Sequence, residues 1–169
     1  MIKIDKSLRH LDPLGAHLGA APSDPSAEIF SIEGSRTWVG GIATSPPHEA
    51  GVQIAFQPAD PAAQNPGKLG TFSEAERDNI LCLLASPDGR FGSLRINADV
   101  RIYTCKLGTG HRITFYPRPG HQVRILLSSG ALDLLSHSLT PPGVASIAGE
   151  PELTISARAP SEFLMLELG

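Results

Sequence analysis

The chain has 169 residues, 41% of them hydrophobic, enough for one well-buried core or one domain with an arm and leaving little room for two full domains. Its 17 Gly and 15 Pro against 18% charged residues disfavour long helices and favour a turn-rich all-β architecture. A net charge of −3, with the basic residues scattered singly, argues against a nucleic-acid footprint, and the lack of a run of eighteen apolar residues argues against a spanning helix. The N-terminus lacks an uninterrupted apolar stretch of signal-peptide type, so the expected location is cytoplasmic and no membrane partner is expected.

In chain order, residues 1–27 read as an arm. Leu8, Leu11, Leu14 and Leu18 have near-helical spacing, but Pro13 and Gly15 interrupt it. Glu28–Glu33, Trp38–Ala43 and Val52–Phe56 read as short strands, the last two split by the loop SPPHEAG. PADPAAQNPGKLG at 58–70 is the best linker, which sets the expected boundary between residues 1–66 and 67–169. Ser73 followed by Glu76 has capping-box spacing, so a turn or two of helix is expected from Phe72. Ile80–Ala85 then reads as a buried strand, and SPDG as a turn. Leu94, Ile96, Ala98, Val100 and Ile102 alternate with mostly polar neighbours, the pattern of a strand with one buried face. Over Tyr103–Leu107 the apolar phase slips, as at a bulge. Further strands are expected at Ile113–Tyr116, Val123–Leu127, Ala131–Leu135, Val144–Ile147, Leu153–Ile155 and Phe163–Leu168, separated by PRPG, SSG, TPPG, AGEP and RAPS. Short strands at near-regular spacing indicate a sandwich, jelly roll or small barrel.

SPDGRFGSLRINADVRIY at 86–103 resembles the opening of the C-terminal cupin domain of bacterial pirin-like proteins, a group often named as quercetin dioxygenases. LLSSGALDLLSHSLTPPGVASIAGEPELTI and the ending EFLMLELG resemble the rest of that domain. The resemblance implies an all-β cupin jelly-roll β-barrel over 67–169, with an N-terminal extension in which GSRTWVGGIATSPPHEAGVQIAFQP is similar to the end of a first roll. The family's usual plan is two rolls, with a metal held in the first by three His and one Glu. Read across from Gly34, Ser35 and Arg36, the His-x-Glu pair falls near Thr37 and Val39, which cannot replace it, and the His-x-His pair has no counterpart. The resemblance therefore implies a degenerate pirin-like protein without the family's metal.

Candidate chemistry is sparse. His111, His121 and His137 lie in the C-terminal region and form the one alternative metal set, although spacings of ten and sixteen do not match a cupin motif. His10, His17 and His48 fall in loops or the arm, where exposed imidazoles are ordinary. Cys82 and Cys105 lie in apolar runs and read as buried reduced thiols, unsuited to nucleophilic catalysis. Glu150 and Glu152 flank Pro151 as a solvated acidic corner. Jelly rolls commonly hold ligands at one mouth, and Arg101, Tyr103, Arg112 and Arg124 are the candidates for an anion-tolerant pocket. The competing expectation is that these charges point outward while Leu, Ile and Val fill the interior.

The sequence thus points to a metal-free, non-catalytic pirin-like cupin acting in protein interaction or small-molecule binding, with no cofactor and no catalytic residue assigned. The alternatives are a metal-dependent dioxygenase of the quercetinase type and a metal-independent isomerase or sensor. Residues 28–57 need covering, which favours a homodimer.

Overall fold

The computed structural model describes residues 2–5, 28–33, 36–40, 52–56 and 68–169. The contacts divide the chain into two units, one of residues 1–9, 74–83 and 101–169 and the other of 10–73 and 84–100.

The first unit is a jelly roll. It holds β1 (Ile2–Asp5), the one-turn helix α1 (Glu74–Arg77), the start of β6 (Cys82–Ser86), β8 (Val100–Leu107), β9 (Arg112–Phe115), β10 (Gln122–Leu134), β11 (His137–Leu139), β12 (Gly143–Ala148) and β13 (Leu153–Leu168). The strand order runs as an open path, β1-β12-β10-β13-β8-β6, with β9 on the side of β13 and β11 on β10. Val123, Ile125, Leu127, Leu132, Leu134, Leu153, Ile155, Phe163 and Met165 fill its inner face, with Cys105, Leu107, Leu139 and Ile147. Tyr103, Ile113 and Phe115 pack against that cluster, and the Tyr103 and Phe115 rings meet edge to face at 5.4 Å.

The second unit contains an antiparallel sheet of β2 (Glu28–Glu33), β3 (Arg36–Gly40), β4 (Val52–Phe56) and β5 (Lys68–Thr71), ordered β4-β2-β3-β5. It also contains β7 (Leu94–Arg95), parallel to the end of β6 through Ala85↔Leu94 and Ser86↔Arg95. At Gly70 a Cβ would lie 2.9 Å from the Phe72 ring, so a larger residue would displace the ring that packs there beside Leu94.

Several sequence expectations are corrected. The helix starts at Glu74, inside the expected span, and β6 starts only at Cys82, leaving Ile80 59% exposed. The alternating run Leu94–Ile102 is two strands, because the backbone bends at Asn97–Asp99. The phase change along β8 reflects burial on both faces of the strand. That strand is unbroken, and it buries Val100, Ile102 and Thr104 on one face and Cys105 and Leu107 on the other.

The largest correction concerns SSG and RAPS, which are not turns. Each lies inside one long strand, and the two irregular stretches face each other where the β10–β13 register shifts between Leu127 and Leu132. Gly130 has φ +90°, and a Cβ there would sit 2.3 Å from the Pro160 carbonyl oxygen. Ser161 Oγ takes the Ala131 N–H at 3.0 Å and lies 2.7 Å from the Ala159 carbonyl, so the groups freed by the slip are paired again.

The leucines of the arm and most of the linker lie outside the described residues, as do His10, His17, His48 and the boundary expected at 66/67. Among the described residues no helix is long and apolar enough to cross a membrane.

Candidate functional site

Alternation decides which side chains reach the inner face. On β13, Glu167 shares the phase of Phe163 and Met165, and on β8, Arg101 shares the phase of Tyr103, Cys105 and Leu107. Glu167 is fully buried, and a carboxylate removed from water must be matched by cations and donors. Arg101 Nη1 lies 3.4 Å from its Oε2, Arg118 Nε lies 3.2 Å from the same oxygen, and the Arg118 backbone N–H donates to Oε1 at 2.6 Å. Tyr103 stands beside them. Burial raises its phenol pKa first and the Glu167 charge adds to it, while Arg101 and Arg118 oppose the rise.

The loop between β9 and β10 places Arg118. The Arg118 carbonyl accepts the His121 N–H at 3.1 Å, with Pro119 and Gly120 between them and Gly120 at φ +81°. This is the geometry of a type II turn, in which proline presets the first central residue and glycine takes the positive φ of the second. Arg118 also precedes a proline, which disfavours helical backbone and fixes its extended approach to Glu167. His121 Nδ1 lies 3.2 Å from the Pro119 carbonyl, an acceptor only, so Nδ1 carries the proton.

This loop forms one wall of a cleft of about 630 Å³. Pro117, Arg118, Pro119 and His121 line that wall, and Glu150 and Pro151 from the β12–β13 turn line the other.

The four residues expected to form an anion-tolerant pocket therefore divide. Arg101 and Tyr103 come together on the inner face. Arg112 is exposed on β9, in the phase opposite to Ile113 and Phe115, and Arg124 occupies the face of β10 opposite to Val123 and Ile125. Arg118 and Glu167 complete the cluster and were not singled out by the sequence. The one signal for Glu167 was an acid in apolar phase with Phe163 and Met165.

The metal alternative is not assembled. His111 lies in the β8–β9 turn, where its N–H donates to the Gly108 carbonyl and its carbonyl accepts the Ala157 N–H. His121 is at the cleft, and His137 is exposed at the start of β11 beside Ser136. Among the described residues no three His, Cys, Asp or Glu side chains form a group able to hold a metal ion. Thr37 and Val39 lie on β3 and are not metal-ligand types, so the donors that are described do not fit the metal implied by the resemblance. Both cysteines are free; burial pushes the Cys105 thiol up to about 12, with Asp78 adding to it, and raises that of the half-buried Cys82. Neither is a thiolate at neutral pH.

Residues 83–168 match the quercetinase C-terminal cupin domain. The chain belongs to this family. Solved structures share the fold of this pirin-like cupin at low identity. Bacterial pirin YhhW from Escherichia coli, crystallised with nickel(II), is 16% identical with a TM-score of 0.73, covering 89% of this chain and 76% of its own. YhaK from Escherichia coli is 19% identical with a TM-score of 0.72, covering 99% and 93%. A quercetin 2,3-dioxygenase from Acinetobacter baumannii is 15% identical with a TM-score of 0.59, covering 90% and 62%. No curated protein matches the chain.

Proposed function

We propose that this pirin-like cupin acts by binding, as a metal-free and non-catalytic cytoplasmic protein that recognises a small molecule or a protein partner. The observation that carries the reading is the ion cluster of Arg101, Arg118 and Glu167 beside Tyr103. These groups are held to one another by fixed contacts of 2.6–3.4 Å, with two guanidinium groups sharing one buried carboxylate, which suits recognition by a rigid polar wall. A nucleophile or general base needs a group poised near neutral pH, and the thiols are held above that range.

We further propose that the protein is a homodimer. Tyr116 is 67% exposed, and Leu69 and Phe91 are exposed as well, apolar side chains that a second copy of the chain would cover. Elemental analysis beside light scattering tests both statements on protein purified without chelator. The expected result is metal well below one equivalent per chain and a mass twice 17.9 kDa. Near one equivalent of iron, nickel or manganese would overturn the metal-free reading, and a mass of one chain would overturn the dimer.

A further inference from the structure

We infer that two copies of the chain pair edge to edge through β9, antiparallel about a twofold axis at Thr114. This rests on the homodimer reading above and deepens it by naming the surface. Among the described residues β9 pairs only with β13, so its other edge is open. The turn into β9 decides which residues face that edge. Gly110, at φ +78°, donates its N–H to the Ala157 carbonyl at 2.8 Å, and Ala157 donates its own to the His111 carbonyl at 3.0 Å. This glycine bulge puts His111 in a bonded pair with β13. Bonded and non-bonded pairs alternate from there, so Ile113 and Phe115 bond to β13 while Arg112, Thr114 and Tyr116 turn their N–H and C=O groups away from it. The same three residues are exposed. Tyr116 lies one residue past the strand, and Pro117 after it favours extended backbone there.

An open strand edge is a template for pairing, and this one is complementary to itself. With the axis at Thr114, Arg112 faces the second copy's Tyr116, Tyr116 faces the second copy's Arg112, and the two Thr114 residues face each other. All three pairs bring outward N–H and C=O groups together, so each can exchange both of its backbone bonds. Slipping the register by two residues loses one of them. It sets Tyr116 against Gly110 or Arg112 against Arg118, whose N–H groups are already bonded to Ala157 and Glu167. In the full register each Arg112 guanidinium lies beside an aromatic ring, a cation–π pair that symmetry forms twice. The two Arg112 residues stand about 14 Å apart along the strand, too far for strong repulsion at physiological salt. On the inner face Ile113 meets the second copy's Phe115 as a cross-strand apolar pair.

A strand edge is a small interface, so sedimentation velocity of the full chain from about 1 µM to 500 µM follows its assembly. Thr114→Pro removes an outward N–H, leaves the β13 bonds in place, and should keep the chain monomeric throughout. Tyr116→Ala should weaken the dimer by about five- to thirtyfold, and Tyr116→Phe should not. Disulfides formed with diamide read the register separately, with the unsubstituted chain as blank. Thr114→Cys should link two copies, because a bonded pair holds its Cα atoms about 5.5 Å apart. Arg112→Cys should link to Tyr116→Cys when the two variants are mixed, and neither should link to itself. If the proline variant does not fold, the cysteine variants decide alone. A dimer that survives Thr114→Pro, fails to link through Thr114→Cys, or links through Arg112→Cys by itself would overturn the β9 interface and leave the homodimer standing. A chain still monomeric at about 500 µM would overturn both and leave the edge to a strand of a different protein.

Discussion

Phe91 has φ +55° and is 90% exposed, in the turn that follows β6. The left-handed region costs a bulky residue about 1–2 kcal/mol, and an exposed ring recovers little of it by burial. The turn is held regardless. Asp88 bonds the Arg90 guanidinium at 2.7 Å and accepts from the Ser86 hydroxyl at 3.0 Å, and Ser93 Oγ donates to the Arg90 carbonyl at 2.7 Å. The Arg90 guanidinium is the main reason the Asp88 carboxyl is held well below the usual carboxylate range. Phe91→Asn keeps this frame and tolerates the positive φ, so the urea midpoint should rise by the equivalent of about 0.5–1 kcal/mol, while Phe91→Ala should give no comparable gain. Glu167 is the opposite case, a buried charge whose partners are all in place. Glu167→Gln removes the buried negative charge that Arg101 and Arg118 share, and should cost about 3 kcal/mol in urea unfolding. Phe91 was legible in the sequence only as a member of a turn, since its backbone angle depends on the hydrogen-bonded frame around it. Glu167 was obscured because both phases of the run FLML before it are apolar.

At the scale of the element, β10 and β13 show where a period of two misleads. The inner face takes odd positions up to Leu127 and even ones from Leu132, and the residues between them, SSG and Ala131, have the composition of a turn. From sequence this reads as two strands and a reversal. Cross-strand pairing settles it otherwise, because the slip in β10 is matched by the bend at RAPS in β13, and that pairing is a long-range fact no local window contains. Gly130→Ala is the sharpest test of the element. Its Cβ would meet Ser161 Oγ and the Pro160 carbonyl oxygen at 2.3 Å, and the backbone must keep φ +90°, so a loss of about 2–4 kcal/mol is expected in urea unfolding. An unchanged midpoint would mean that the two bends do not face each other. The short elements were more legible: β2 and β4 have their expected bounds, and α1 follows the Ser73–Glu76 spacing with a start two residues late. Turn residues and caps act locally, so sequence carries them well.

For the molecule as a whole, glycine, proline and alternating apolar residues sufficed for the all-β class, and the resemblance carried by 86–103 led to the cupin jelly roll. The site was legible in half. Arg101 and Tyr103 were named from sequence as pocket candidates against the competing expectation that charges on these strands point outward, but their partners come from the chain end and from a loop, and only the fold brings Glu167 and Arg118 to them. The arrangement joins a packed apolar interior to a polar end where Arg101 and Arg118 share Glu167, beside an open cleft, and the proposed binding role rests on that layout. On the proposed reading the polar end recognises a ligand and does not transform it. Oxygen uptake with quercetin, measured after adding iron, nickel or manganese to the full chain, tests this most directly. The account predicts a rate equal to that of the metal and flavonol without protein; uptake that requires both the metal and the folded chain would contradict it.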